Sequence, residues 1–314
     1  SYYAGLNLVI MGVNLLLPWR SLHSAANSCM ILTMYIGFNV AAGLDFSYKI
    51  LFNNLFFMIS TVIIAIVLNF VKHKLIKDEF HLLVQLKKTR DALWSEMELA
   101  NRIQTALLPN KEKISGFEIA AVMSPAKEVG GDYYDVIQLS KDEMGFCIAD
   151  VSGKGISAAI LMSNFQANLR ALFTAQLGLT DTLHRLNKSV MNSAKGEKFI
   201  TLFIARYNFK TRELKYINAG HNPPLLYEPR TKKLSPLASG CVGMGMLDEL
   251  PFVNEAMITM DEPAKLFCYT DGLVEVIQDS GVEFGTENLE KELRNALPLE
   301  ENIQTIIKNQ KILE

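Results

Sequence analysis

Cysteine is scarce in this 314-residue chain, and the four present (Cys29, Cys147, Cys241 and Cys268) include no CxxC pair. That spacing argues against a structural zinc site or a disulfide framework, and the apolar runs around Cys29, Cys147 and Cys268 predict buried free thiols. The five histidines form no HExxH, no serine lies in GxSxG, and the kinase signature set is missing, so none of these catalytic machineries is encoded. SGKG at 152–155 lacks the GxxxxGK[ST] spacing with which a loop wraps a polyphosphate, which leaves nucleotide binding without support. Charge is nearly absent from one end: of 31 Lys and Arg and 33 Asp and Glu, residues 1–71 hold only Arg20, Asp45 and Lys49. The formal net charge of −2 therefore describes neither part of the chain, and it points to no nucleic-acid partner, which would need a basic face.

What fills the charge-poor part is apolar sequence, in stretches at 2–19, 25–43 and 52–71. Each is close to the ~20 residues a helix needs to cross a bilayer core. A membrane region of about three spans over 1–71 is predicted, with membrane lipid as its partner. Lys72, His73, Lys74 and Lys77 follow the third stretch directly, which by the positive-inside rule makes that end cytoplasmic. Arg20 then falls on the cytoplasmic side and the Asp45–Lys49 loop outside, giving a multi-pass protein of the cytoplasmic membrane. Because Ser1 opens inside an apolar run, the expectation is an excerpt with further spans upstream.

Residues 72–108 are charged and contain neither Gly nor Pro until Pro109. One long linker helix over 72–109 is predicted. Heptads place Ile76, Leu83, Arg90, Met97 and Gln104 at one seam position and Glu79, Leu86, Leu93, Ala100 and Leu107 at the other. The seam is partly polar, so a coiled coil joining a homodimer would be weak or adjustable, and a single surface helix is an equal alternative.

Beyond residue 110 the pattern is that of a soluble domain running to residue 314. FEIAAVM, DYYDVIQL and MGFCIADV read as strands, followed by a helix over ISAAILMSNFQANLRALFTAQ with Ile160, Leu161, Phe165, Leu169, Leu172 and Phe173 at helical spacing. A second helix near 180–194 leads into KFITLFIARYN, ELKYINAG and PPLLYE as further strands. AKLFCYT then runs into Asp271-Gly272, a hairpin-type dipeptide, and helices near 286–296 and 301–313 follow. Strands, then helices, then strands predict an α+β fold with antiparallel sheets instead of a doubly wound parallel sheet.

Three aspartates stand where apolar strands begin or end: Asp132 in GGDYYD, Asp150 in ADVSGKG and Asp271 in YTDGLVE. Each alone is explained by turn chemistry. Together they are suited to a hard divalent cation, since clustered carboxylates repel one another until a cation relieves them. One or two bound Mg²⁺ or Mn²⁺ ions could activate a water for hydrolysis without any protein nucleophile.

EVGGDYYD, DVSGKGISAA, INAGHNPP and YTDGLVE, in this order, resemble the metal-dependent protein serine/threonine phosphatases of the PPM (PP2C-like) class, in their SpoIIE/RsbU-like bacterial branch. ELANRIQTALLP resembles the helix that precedes the domain in that branch, and the similarity spans about 95–277. The resemblance implies an αββα sandwich of antiparallel sheets flanked by helices, holding two Mn²⁺ or Mg²⁺ ions. It implies that Asp150 bridges both ions, that the Val151 main-chain carbonyl is a further ligand, that Asp271 binds one ion, and that Asp132 acts directly or through water. It also implies a phosphorylated protein substrate, typically an anti-sigma-factor antagonist. Asn218, Gly220 and His221 match the AGH motif and read as a structural turn. The branch's late Asp-Asp ligand has no counterpart, since no aspartate follows Asp279; truncation before that strand is the expectation. A catalytically inactive scaffold of the same fold is the alternative.

Overall fold

A computed structural model describes residues 2–16, 21–41, 48–109, 117–124, 128–238, 240–275, 285–295 and 297–310. Arg20 and Asp45, used above for orientation, lie outside them, as do 276–277 of LVEVI and 311–313 of the last helix. The chain divides into two compact units, Ser1–Trp94 and Ser95–Glu314.

The first unit is helical. It contains α1 (Tyr2–Leu16), α2 (Ser21–Ala41) and most of α3 (Tyr48–Ala106). With no Gly or Pro between Tyr48 and Ala106, nothing interrupts the backbone ladder, so the third apolar stretch and the linker segment form one 59-residue helix. Ile10, Met58 and Ala65 pack together between the helices, and Asn14 donates to Ser28 Oγ at 3.2 Å. The polarity is inverted relative to a water-soluble bundle: Asn14, Ser24, Ser28 and Asn69 are buried, whereas Leu8, Phe38 and Phe52 are each about three-quarters exposed. Among the described residues, only α3 is both long and apolar enough to cross a membrane.

The second unit is a four-layer α+β sandwich. In chain order, β1 (Tyr133–Gln138), β2 (Glu143–Val151), α4 (Ile156–Leu172), α5 (Leu179–Ala194), β3 (Ile200–Asn208) and β4 (Glu213–Ala219) come first. Then follow β5 (Leu225–Glu228), β6 (Lys233–Pro236), β7 (Ala256–Thr259), β8 (Lys265–Phe267), α6 (Asp271–Val274), α7 (Gly285–Leu293) and α8 (Leu299–Gln310). One antiparallel sheet has the order β1-β2-β3-β4-β7 and the other β6-β5-β8. The period-2 alternation of β3 builds both cores. Ile200, Leu202 and Ile204 face α4 and α5, meeting Leu161, Phe165, Leu169 and Leu183. Phe203 and Ala205 point the other way, onto Leu226 and Leu266 of the second sheet and Leu237 just beyond β6. Leu225 and Tyr269 pack in turn against Leu289, Leu293 and Ile306 of the outer helices. Each of these large apolar side chains contributes about 1.5–3 kcal/mol through burial.

Several local expectations are corrected. FEIAAVM carries no regular strand, only an isolated bridge residue at Phe117. Asp271-Gly272 opens a helical turn, α6, instead of a hairpin. Ile160 belongs to the helical period but is 66 % exposed, on the outer side of α4. Cys29 is exposed; Cys147 and Cys241 are buried, and all four cysteines are thiols, with no disulfide among them. The short strands β6 and β7 have no counterpart in the sequence reading.

Candidate metal centre

Asp150 is the penultimate residue of β2, on the face shared with Phe146 and Ile148 that looks toward the second sheet. Its cross-strand partner is Thr201. Asp132 immediately precedes β1, and Gly131 explains how it reaches Asp150. A Cβ built on Gly131 would lie 2.8 Å from the Val151 carbonyl oxygen and 3.0 Å from Val151 Cβ, so only glycine lets this turn pack against the end of β2. On the other side of the turn, Gln104 in the last stretch of α3 donates from Nε2 to the Gly130 carbonyl at 2.8 Å and accepts from Gly130 N–H at 3.1 Å. Asn101 adds a hydrogen bond to the Glu128 carbonyl. Asp271 begins α6. Thr270, at the N-cap position, makes no capping bond; its hydroxyl donates to Asp132 Oδ2 at 3.0 Å and ties the third motif to the first.

The three aspartates therefore come together. Burial pushes Asp150 up to about 7, and the charges of Asp132 and Asp271 add to the rise, while Lys154 opposes it. Asp132 is raised as well, first by burial, with Asp271 contributing and the Thr270 hydroxyl opposing. The Val151 carbonyl faces the Gly131 backbone at the same place. Among the described residues, no three acidic, histidine or cysteine side chains close into a complete cation cage. The carboxylates thus share an electrostatic site without closing a cage by themselves. They line a groove of about 1510 Å³ between the sheets.

The structural turn read at Asn218, Gly220 and His221 is present, and it works through Thr201, which, like Thr270, the sequence reading did not single out. Thr201 Oγ1 lies 2.9 Å from His221 Nδ1, and His221 N–H donates to Asn218 Oδ1 at 2.8 Å. His221 is buried, and burial pushes it down to about 4, so the ring is neutral at pH 7. Its other nitrogen lies toward the Tyr269 backbone without a well-formed bond. The AGH turn is thus a prop beneath the site. Gln104, expected at a coiled-coil seam, is instead buried in its bond pair with Gly130. Thr270 was legible as a helix N-cap only had the Asp-Gly pair not been read as a hairpin.

Comparison with known proteins agrees with this architecture. The family model described as Stage II sporulation protein E (SpoIIE) matches residues 140–311, more than half of the chain. Phosphoserine phosphatase RsbU of Bacillus subtilis is 28% identical over 197 residues, covering 62% of this chain and 58% of that protein. Protein IcfG of Synechocystis sp. is 28% identical over 246 residues, covering 69% of this chain and 38% of that protein. The chain thus spans less than two thirds of the length of these curated relatives. Among solved structures, the SiaA-PP2C domain of Pseudomonas aeruginosa superposes with a TM-score of 0.59 at 15% identity, covering 71% of this chain and 91% of that one. The PP2C phosphatase domain of SpoIIE from Bacillus subtilis, solved with a fragment of its regulatory domain, gives 0.50 at 15% identity, covering 57% of this chain and 52% of that one. The chain belongs to the SpoIIE family, and its second unit has the PP2C-type phosphatase fold.

Proposed function

We propose that this chain is a membrane-tethered, metal-dependent phosphoprotein phosphatase that hydrolyses phosphoserine or phosphothreonine. The observation that carries the proposal is the meeting of Asp132, Asp150 and Asp271, from three separate motifs, as a like-charged cluster in one groove. Such a cluster is strained without a counter-charge, and divalent cations supply it. Two Mn²⁺ or Mg²⁺ ions would be held by Asp150, Asp271, the Val151 carbonyl and Asp132. Bound there, they supply an activated water and neutralise the phosphoryl oxygens. Gly131 and Gln104 fix the turn that carries Asp132, Thr270 orients its carboxylate, and neutral His221 braces Thr201 behind Asp150.

Names of relatives such as phosphoserine phosphatase RsbU support a phosphorylated protein as substrate, and an anti-sigma-factor antagonist is the class we favour. The long apolar part of α3 and the inverted polarity of the helical unit support a membrane tether; a multi-pass region of the cytoplasmic membrane, with Lys72, Lys74 and Lys77 marking the cytoplasmic side, is the arrangement we favour. Ile76, Leu83, Leu86 and Leu93, each more than half exposed, support a homodimer through the linker part of α3. The open cage is the observation that favours an inactive scaffold instead.

One experiment separates the two readings. The full chain in detergent, given Mn²⁺ and a phosphoserine protein, should release phosphate, and Asp150→Ala should abolish the release. Binding of the phosphoprotein without turnover would select the scaffold; metal-independent turnover, or activity surviving Asp150→Ala, would overturn the mechanism.

A further inference from the structure

The groove that holds the carboxylates is lined by three cationic side chains among the described residues: Lys154, Arg212 and Lys265. Two of them are committed. Arg212 Nη1 donates to the Asp261 carbonyl at 3.2 Å, and Lys265 Nζ donates to the Asn295 and Leu297 carbonyls at 3.0 and 3.2 Å. Lys154 makes neither a hydrogen bond nor an ion pair among the described residues, and it is exposed on the loop between β2 and α4. Gly153 and Gly155 on either side adopt φ of 85° and 82°, a left-handed path that sets the course of the loop at Lys154.

The loop is anchored just before it. Ser152 N–H donates to the Phe199 carbonyl at 2.9 Å, Phe199 N–H donates to Ser152 Oγ at 2.9 Å, and Lys198 Nζ donates to the Ser152 carbonyl at 2.8 Å. Lys198 is therefore a strut, and Lys154 is the cation left available beside Asp150, whose charge it already opposes.

We infer that Lys154 forms a phosphoryl-binding subsite, pairing with the dianionic phosphate of the substrate as it enters the carboxylate groove. This rests on the phosphatase reading of the site. Three carboxylates with two divalent ions carry one net positive charge, and a phosphomonoester brings about two negative charges at neutral pH. One lysine closes that balance, and its ammonium supplies charge-assisted hydrogen bonds to phosphoryl oxygens.

The inference makes two effects of opposite sign. In the full chain, Lys154→Met should raise KM for p-nitrophenyl phosphate and the inhibition constant of inorganic phosphate about 10- to 100-fold, the usual weight of a lost charged hydrogen bond. Removing the same positive charge should leave Mn²⁺ affinity, read by calorimetry, equal or a few-fold tighter. Lys154→Arg should restore most of the phosphate affinity. Unchanged phosphate affinity in Lys154→Met would overturn the inference, as would a parallel loss of Mn²⁺ binding, which would make Lys154 a support of the loop. If the wild-type chain binds Mn²⁺ but hydrolyses nothing, the phosphatase reading fails; phosphate binding to the Mn²⁺-loaded wild type and Lys154→Met, compared by calorimetry, still decides the subsite.

Discussion

Gly131→Ala probes the contact on which the whole cluster depends. The added Cβ would sit 2.8 Å from the Val151 carbonyl oxygen, 3.0 Å from Val151 Cβ and 3.3 Å from Ala158 Cβ. None of these is a flexible tip: the first is strand backbone, the second a stiff β-branched carbon, the third the methyl of Ala158, buried on the inner side of α4. Against ordinary carbon contacts of about 3.5–4.0 Å, the turn must retreat by roughly 0.5–1 Å. Overpacking of this kind costs about 1–3 kcal/mol. For a unit of this size, that lowers Tm by about 2–4 °C per kcal/mol. Function should suffer more than stability, because Asp132 moves with the turn, and a misplacement of about 1 Å in a preorganised site costs about 100-fold in rate. Mn²⁺-dependent phosphate release, Mn²⁺ calorimetry and thermal unfolding of the full chain in detergent measure the three effects. Gly272→Ala is the control, since a Cβ there meets nothing within 4 Å. Wild-type Mn²⁺ affinity and turnover in Gly131→Ala would refute the claim that this packing positions Asp132.

Two further outcomes follow from the electrostatics and from the Gln104 bonds. The Asp150 carboxyl, at about 7 when folded against 3.8 for the free group, holds a proton in the metal-free fold that the unfolded chain has lost, so stability should fall as pH rises from about 4 to 7. After solvent screening the loss is roughly 1–2 kcal/mol; Asp150→Asn should remove it and be more stable than the metal-free wild type at pH 7 while losing Mn²⁺-induced stabilisation, which paired melts across this pH range would show. Gln104→Leu leaves the half-buried Gly130 N–H and carbonyl without their protein partner, at about 0.5–1.5 kcal/mol per lost bond, and should speed amide exchange at Gly130. Unchanged exchange with stronger self-association would instead return Gln104 to the coiled-coil seam.

The layered fold was legible because β3 and its neighbours alternate cleanly, with Leu202 and Ile204 on one face and Phe203 and Ala205 on the other. The four-residue strands KLSP and AMIT were not: each is too short for a period, and one ends in proline. The aspartates could be singled out by their place at strand ends, but their convergence depends on strand order, which no local pattern encodes. Asp271-Gly272 misled because the dipeptide favours a hairpin in isolation, whereas here Thr270 adopts an extended N-cap conformation and α6 starts at Asp271. Gln104 shows the deeper limit. Heptad spacing locates a residue on a helix face without revealing what covers that face, and a polar residue there reads as a weak point in a seam. An amide side chain also matches the donor and acceptor of one peptide group, and Gln104 uses both on Gly130. The residue that would loosen a coiled coil therefore secures the turn bearing Asp132, and the last turns of α3 cannot rotate without pulling on the backbone two residues from that carboxylate.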